Sequence, residues 1–143
     1  MKISIYILLL ILVTNCQDSD TPNNTDILNG EWNFKNISGG IAGINNDFEN
    51  NLIFWSFNSD NSILTVTNNN SDTTINDGLE TGTYKYLIQS TNGQSFLFIN
   101  DSEFGNITIF ENELLINQNI FTDGNGADGF IMKLYKVFSS EPF

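Results

Sequence analysis

The chain has no histidine and no arginine, one cysteine, two prolines and only five lysines in 143 residues. Each shortage removes a class of function. Without histidine there is no side chain that titrates unperturbed near neutral pH, so His-based general-base catalysis and His-ligated metals are excluded. Without arginine, and with 17 carboxylates against five lysines, the chain lacks the basic footprint on which nucleic-acid binding depends. A single cysteine makes an intrachain disulfide impossible. Carboxylate pairs such as Glu111 with Glu113, or Asp47 with Glu49, are expected by chance in so acidic a chain. Nothing marks one member as acid and the other as base. The expectation is a protein that is not an enzyme and carries no cofactor or metal. What is abundant is asparagine and, above all, aromatic side chains: 12 Phe, four Tyr and two Trp.

Lys2 precedes an uncharged apolar run, Ile3 to Val13, that leads to Cys16. The run is too short to span a bilayer, which takes roughly 20 apolar residues, and reads as a secretory signal peptide. A lone thiol in an exported protein asks for a use. The stretch ending Val13-Thr14-Asn15-Cys16 resembles a bacterial lipobox, in which the cysteine is lipidated and becomes the first mature residue, although Asn15 stands where a small residue is usual. The resemblance implies signal-peptide helix 1–15, an acylated Cys16 and an outer-membrane lipid anchor. Gln17 to Asp20 is similar to the acidic surface-export signals of Bacteroidetes lipoproteins, which implies exposure at the cell surface. Residues 16–26 read as a flexible acidic tether, reaching about 15–20 Å from the membrane. Removal of 1–15 leaves 128 residues and a net charge of −13, repelled by anionic lipid, so the acyl chains are the expected membrane attachment.

From Ile27 onward the apolar period is two. Trp32 and Phe34 alternate with polar neighbours; Ile53, Trp55 and Phe57 are the bulkier set of Leu52–Phe57. Leu64 and Val66, Tyr84, Tyr86 and Ile88, Ile107 and Ile109, Leu114 and Ile116, and Phe130, Met132 and Leu134 repeat the pattern. Phe96 to Ile99 is apolar throughout and should be covered on both faces or lie against a loop. About eight strands result, with no helical stripe, so the fold class is all-β. Connections alternate in length. Ser38–Asn51, Asn68–Glu80 and Asn117–Asp128 are long and Asn100–Phe104 intermediate. Asn58–Asn61, Ser90–Gly93 and Glu111-Asn112 are short. In an up-and-down antiparallel meander the long loops then crowd one rim of a barrel and tight turns close the other.

Leu28-Asn29-Gly30-Glu31-Trp32, Trp55-Ser56-Phe57, Gly82-Thr83-Tyr84 and Asp128-Gly129-Phe130 with Leu134-Tyr135-Lys136-Val137 resemble the G-x-W, w-x-F, G-x-Y and closing strands of the lipocalin-like domains of Bacteroidetes lipoproteins. The likeness implies a lipocalin-like barrel over 27–143. The main lipocalin families pack the Trp of G-x-W under an Arg; here Lys133 or Lys136 would have to take that place. The chain also leaves no room after Val137 for the helix those families carry.

Trp32, Phe34, Trp55, Phe57, Tyr84 and Tyr86 share the inward face. They either line a pocket for a small hydrophobic or glycan-like ligand or simply fill the barrel, since eight strands leave room for little more than side chains. Ile41, Ile44 and Phe48 sit in or just after the Gly-rich stretch Gly39–Gly43, and either form a lid over the mouth or plug that end of the core. Asp123–Asp128 looks like a calcium loop but lacks the glycine and bidentate glutamate an EF-hand requires, and reads as an acidic turn. Asp72-Thr73-Thr74 resembles the O-glycosylation sequon of exported Bacteroidetes proteins. The functional expectation is a monomeric, lipid-anchored binding protein. The alternative is a filled barrel that contacts another envelope protein.

Overall fold

The computed structural model describes residues 27–138; the leader, Cys16 and the tether lie outside the described residues. Within them the chain forms strands β1 (Gly30–Gly39), β2 (Ile44–Asp47), β3 (Ile53–Asn58), β4 (Ile63–Asn68), β5 (Gly82–Thr91), β6 (Gln94–Ile99), β7 (Ser102–Phe110), β8 (Glu113–Asn117), β9 (Ile120–Phe121), β10 (Gly124–Asn125) and β11 (Phe130–Lys136). Eight of them run in sequence order, β1-β3-β4-β5-β6-β7-β8-β11. Pairing of β11 back onto β1, from Trp32↔Lys136 to Gly39↔Phe130, closes an antiparallel up-and-down barrel. Closure leaves no long edge to invite pairing between molecules.

The period-two pattern sets the faces. Trp32 pairs with Trp55, Trp55 with Val66, Phe57 with Leu64, Ile107 with Ile116 and Ile109 with Leu114, all directed inward. Tight turns close one end. Asn92-Gly93 takes positive φ at both residues (53° and 77°), the backbone that suits a two-residue hairpin. That end is also plugged from below, because Ile27 and Leu28 turn helical under it and Leu28 is fully buried. Trp32 fixes the plug by donating its indole N–H to the Leu28 carbonyl at 2.7 Å. The expected cation over the G-x-W tryptophan is Lys136: its Nζ lies 4.5 Å from the Trp32 ring centroid and donates to the Asn29 carbonyl. Lys133 instead meets Glu113, at 3.8 Å.

The other end departs from the expected loops in three places, one of them Asn117–Asp128, which folds into the β9–β10 hairpin. Ser38–Asn51 is not one long loop. β1 runs on to Gly39, turns through residues 40–43, and returns as β2. β2 pairs with Asn36–Gly39 where β3 has paired only with Gly30–Asn33, so both run down against successive parts of β1. The β6–β7 connection is also shorter than Asn100–Phe104: it is Asn100-Asp101 alone. Both residues are left-handed (φ 49° and 65°), which Asn and Asp tolerate at small cost, so β7 can begin at Ser102. Phe96 is buried yet stands apart from the main core cluster, on the outer face of β6.

Candidate functional site

Where the structure puts the inward aromatics decides what they can do. Trp32, Phe34, Trp55 and Phe57 are at most 1% exposed, and Tyr86 is buried beside them. Their rings pack on one another. Phe34 stacks on Trp55 at 5.9 Å, Trp55 lies 6.3 Å from Phe57, and Phe57 meets Tyr86 edge-on at 5.1 Å. Tyr84 is half-buried and spends its hydroxyl on the Glu80 carbonyl, 2.8 Å away. The barrel is filled at these positions, and four of the six rings have no surface left to offer a ligand. Tyr86 borders a separate groove of about 330 Å³ on the barrel wall, with Asn61, Lys85 and Leu87.

The cleft that matches the expected mouth is elsewhere, at the long-loop rim. It measures about 580 Å³ and has three walls. The first is the β1–β2 hairpin, which contributes Gly39, Gly40, Ile41, Ala42, Ile44 and Asn46. The second is Thr74, Ile75 and Asn76 from the loop 69–81, and the third is Asp128 and Phe130 at the entry to β11. The gap exists because β2 has a strand partner on one side only. The chain leaving β4 turns into a loop instead of continuing alongside it.

The sequence explains how each wall holds. Gly40 has φ +70°, and a Cβ there would come within 2.6 Å of the Phe130 ring, so glycine lets that ring lie against the hairpin backbone. The Gly129 carbonyl ties the first and third walls by accepting from Gly40 N at 3.1 Å. Asn119 braces the same residue from both sides, accepting from Gly129 N at 2.8 Å through Oδ1 and donating from Nδ2 to its carbonyl at 3.3 Å. The second wall is a set of short-range turns built by Asn and Asp side chains. Asn70 Nδ2 donates to Asp77 at 2.8 Å, and Asp72 Oδ1 accepts from both Thr74 N (2.9 Å) and Thr74 Oγ1 (2.6 Å). These two bonds to the ionised form hold the Asp72 carboxyl below its ordinary value of 3.8.

The lid and plug readings of Ile41, Ile44 and Phe48 divide between the residues. Phe48 is buried and meets Phe34 edge-on at 5.4 Å, so it plugs the core. Ile41, 90% exposed, stands on the cleft's lip, and Ile44 packs half-buried between the two. The apolar surface of the cleft is thus Ile41, Ala42, Ile44, Ile75 and Phe130. Polar groups from Asn46, Thr74, Asn76 and Asp128 border it, and the only charged side chain in its lining is a carboxylate. Ile75 was missed because it is one apolar residue in a polar loop. In the alternation Phe130 is an inward strand residue; its place at the first position of β11, level with the rim, is what brings it to the cleft.

Asp123–Asp128 forms part of a small hairpin, with Gly124 and Asn125 in β10 paired to β9. Among the described residues no group of three or more acidic or thiol side chains is placed to hold a metal. Two buried groups lack a partner among the described residues: Trp55 Nε1 has no acceptor and Asn33 Oδ1 no donor. Compared with known proteins, the chain matches no family, no curated protein and no solved structure.

Proposed function

We propose that this is an exported, lipid-anchored lipocalin-like protein that binds a small hydrophobic molecule in the rim cleft, without catalysing a reaction. The observation that carries the reading is the rim cleft itself. At about 580 Å³ it falls within the roughly 300–1,000 Å³ of small-molecule sites, and its apolar floor has a few polar groups around it. The leader and the position of Cys16 support export and acylation, and with them a location at the outer membrane, facing the periplasm or the cell surface. The electrostatics narrow the ligand. Asp128 and the mature chain's net charge of −13 disfavour fatty-acid carboxylates, so the ligand is apolar with a neutral or cationic polar group. The filled interior supports binding at the rim and not along the barrel axis.

The test is a titration with N-phenylnaphthylamine, a neutral apolar fluorophore. Saturable enhancement is expected. Ile41→Ser should weaken it roughly tenfold, the effect of about 1.4 kcal/mol of lost apolar contact. The same change should alter folding stability by less than about 0.5 kcal/mol, because Ile41 is a surface residue. Absence of saturable binding removes the ligand-binding reading. It leaves the alternative, in which exposed Ile41 contacts another envelope protein.

A further inference from the structure

The tight-turn end of the barrel carries three apolar side chains that the fold leaves uncovered. Phe110, the last residue of β7, is 72% exposed; Phe138, two residues beyond β11, is 66% exposed; and Ile27 is 43% exposed. Topology gathers them. Ile27 shares a small cleft with Ser95, Ile107 and Ile109, at the lower ends of β6 and β7. The chain after β11 is bound beside the β7–β8 turn, with Lys136 N donating to the Asn112 carbonyl at 2.8 Å. The next residue, Val137, donates to the Glu31 carbonyl at 2.8 Å, which holds the approach to Phe138 along the start of β1.

The tether also leaves from this end. Ile27 follows directly on residues 17–26, and the segment behind it is pinned by the bonds of Trp32 to Leu28 and of Lys136 to Asn29. Read from the sequence as a flexible linker, ten polar residues would reach about 15–20 Å. A domain held that close meets the bilayer at high effective concentration, so contacts too weak to bind a free protein suffice.

We propose that the tight-turn end docks on the head-group layer of the bilayer through Ile27, Phe110 and Phe138, so that the rim cleft, at the opposite end, points away from the membrane. The inference rests on the acylation of Cys16. Glu31, Asp60 and Glu111 are exposed at the same end; of the lysines there, Lys136 is taken up by Trp32 and exposed Lys85 lies beside Asn61 and Ser62, so carboxylates outnumber the free cation. The surface therefore suits zwitterionic lipid and is repelled by anionic lipid.

The experiment uses the full-length, membrane-extracted protein reconstituted into phosphatidylcholine vesicles that contain head-group spin-labelled lipid. A single environment-sensitive fluorophore is placed at Asn112→Cys or Ala42→Cys. Intact mass reads the acyl chains separately. The expected result is strong quenching at position 112, none at 42, and loss of the quenching at 112 in the Phe110→Ser/Phe138→Ser double variant. Replacing much of the phosphatidylcholine by phosphatidylglycerol at low salt should lessen it. Quenching at 42, or at neither position in a protein whose mass includes the acyl chains, overturns the docking while leaving acylation standing. A mass without acyl chains overturns both.

Discussion

The barrel interior and the rim cleft are both apolar, but they are built from different parts of the sequence and answer to different physics. The interior is made of period-two strand residues whose rings exclude water and one another's motion: Phe34, Trp55 and Phe57 are packed from every side. The rim is made of turns, in which glycine and asparagine set the backbone and isolated apolar residues, Ile41 and Ile75, are carried to a gap in the sheet. Large aromatics, the residues most often associated with binding, here supply stability. The apolar surface left open at the rim comes from one aromatic, Phe130, and smaller side chains at an interruption of strand pairing.

Truncating the interior should therefore be far more costly than truncating the rim. Phe34→Ala removes a ring that touches Phe48, Trp55 and the backbone at Gly78, and is expected to lower unfolding free energy by about 3–5 kcal/mol in urea denaturation. A loss below about 1 kcal/mol would mean that the interior is loosely packed and that the contrast with the rim is false.

Gly78 is where the two regions touch. Its φ is +89°, and a Cβ there would lie 3.3 Å from the Phe34 ring. Gly78→Ala should cost about 1–3 kcal/mol from backbone strain alone. It should also weaken fluorophore binding, because the loop that bears Ile75 would have to lift. Unchanged stability would show that the loop 69–81 does not rest on the core.

Lys136 offers a smaller test, at the closed end. Lys136→Met removes the cation from Trp32 and is expected to cost about 0.5–2 kcal/mol. Lys136→Arg should restore or exceed the native value, since a guanidinium adds a planar stacking face. Burial lowers the Lys136 pKa below 10.5, so near neutral pH its charge is held at some desolvation cost. If the arginine and methionine variants unfold alike, the ammonium–indole contact contributes nothing.

The contrast also separates what could be read from the sequence from what could not. Alternation at Trp32/Phe34, Trp55/Phe57 and Leu114/Ile116 exposes the strands and their inward faces, because a one-residue slip would turn every ring outward. Alternating connection lengths place the elaborated rim. β2 was invisible: Ile44-Asn45-Asn46-Asp47 has one apolar residue and three poor strand formers. It forms because the upper part of β1 needs a partner beyond the reach of β3. Asn36 Nδ2 then stitches the pair through Asn45 (2.9 Å) and Asp47 (2.8 Å). The cleft was illegible for the same reason. It is a property of what fails to pair, assembled from single residues in three distant segments, and no local period marks it.

The smallest expected effect separates the regions by pH. The hydrogen bonds from Thr74 favour the Asp72 carboxylate in the folded chain, so its folded pKa lies below 3.8 and its unfolded pKa near it. Over that interval the unfolded chain binds the proton first. The contribution of Asp72 is therefore present above about pH 3.8 and is lost as pH falls through the folded value. The group is fully exposed, so solvent screens it and the effect on global unfolding should be slight. The local readout is sharper: the Thr74 amide resonance should titrate with a midpoint below 3.8, and Asp72→Asn should abolish that step while leaving an acceptor oxygen in place. The interior aromatics around Trp55 include no carboxylate, so Trp55 fluorescence should stay constant across the same range. A Trp55 change that tracks the Thr74 midpoint would show that the second wall and the core move together, and the division between rim and interior would fail at its weakest joint.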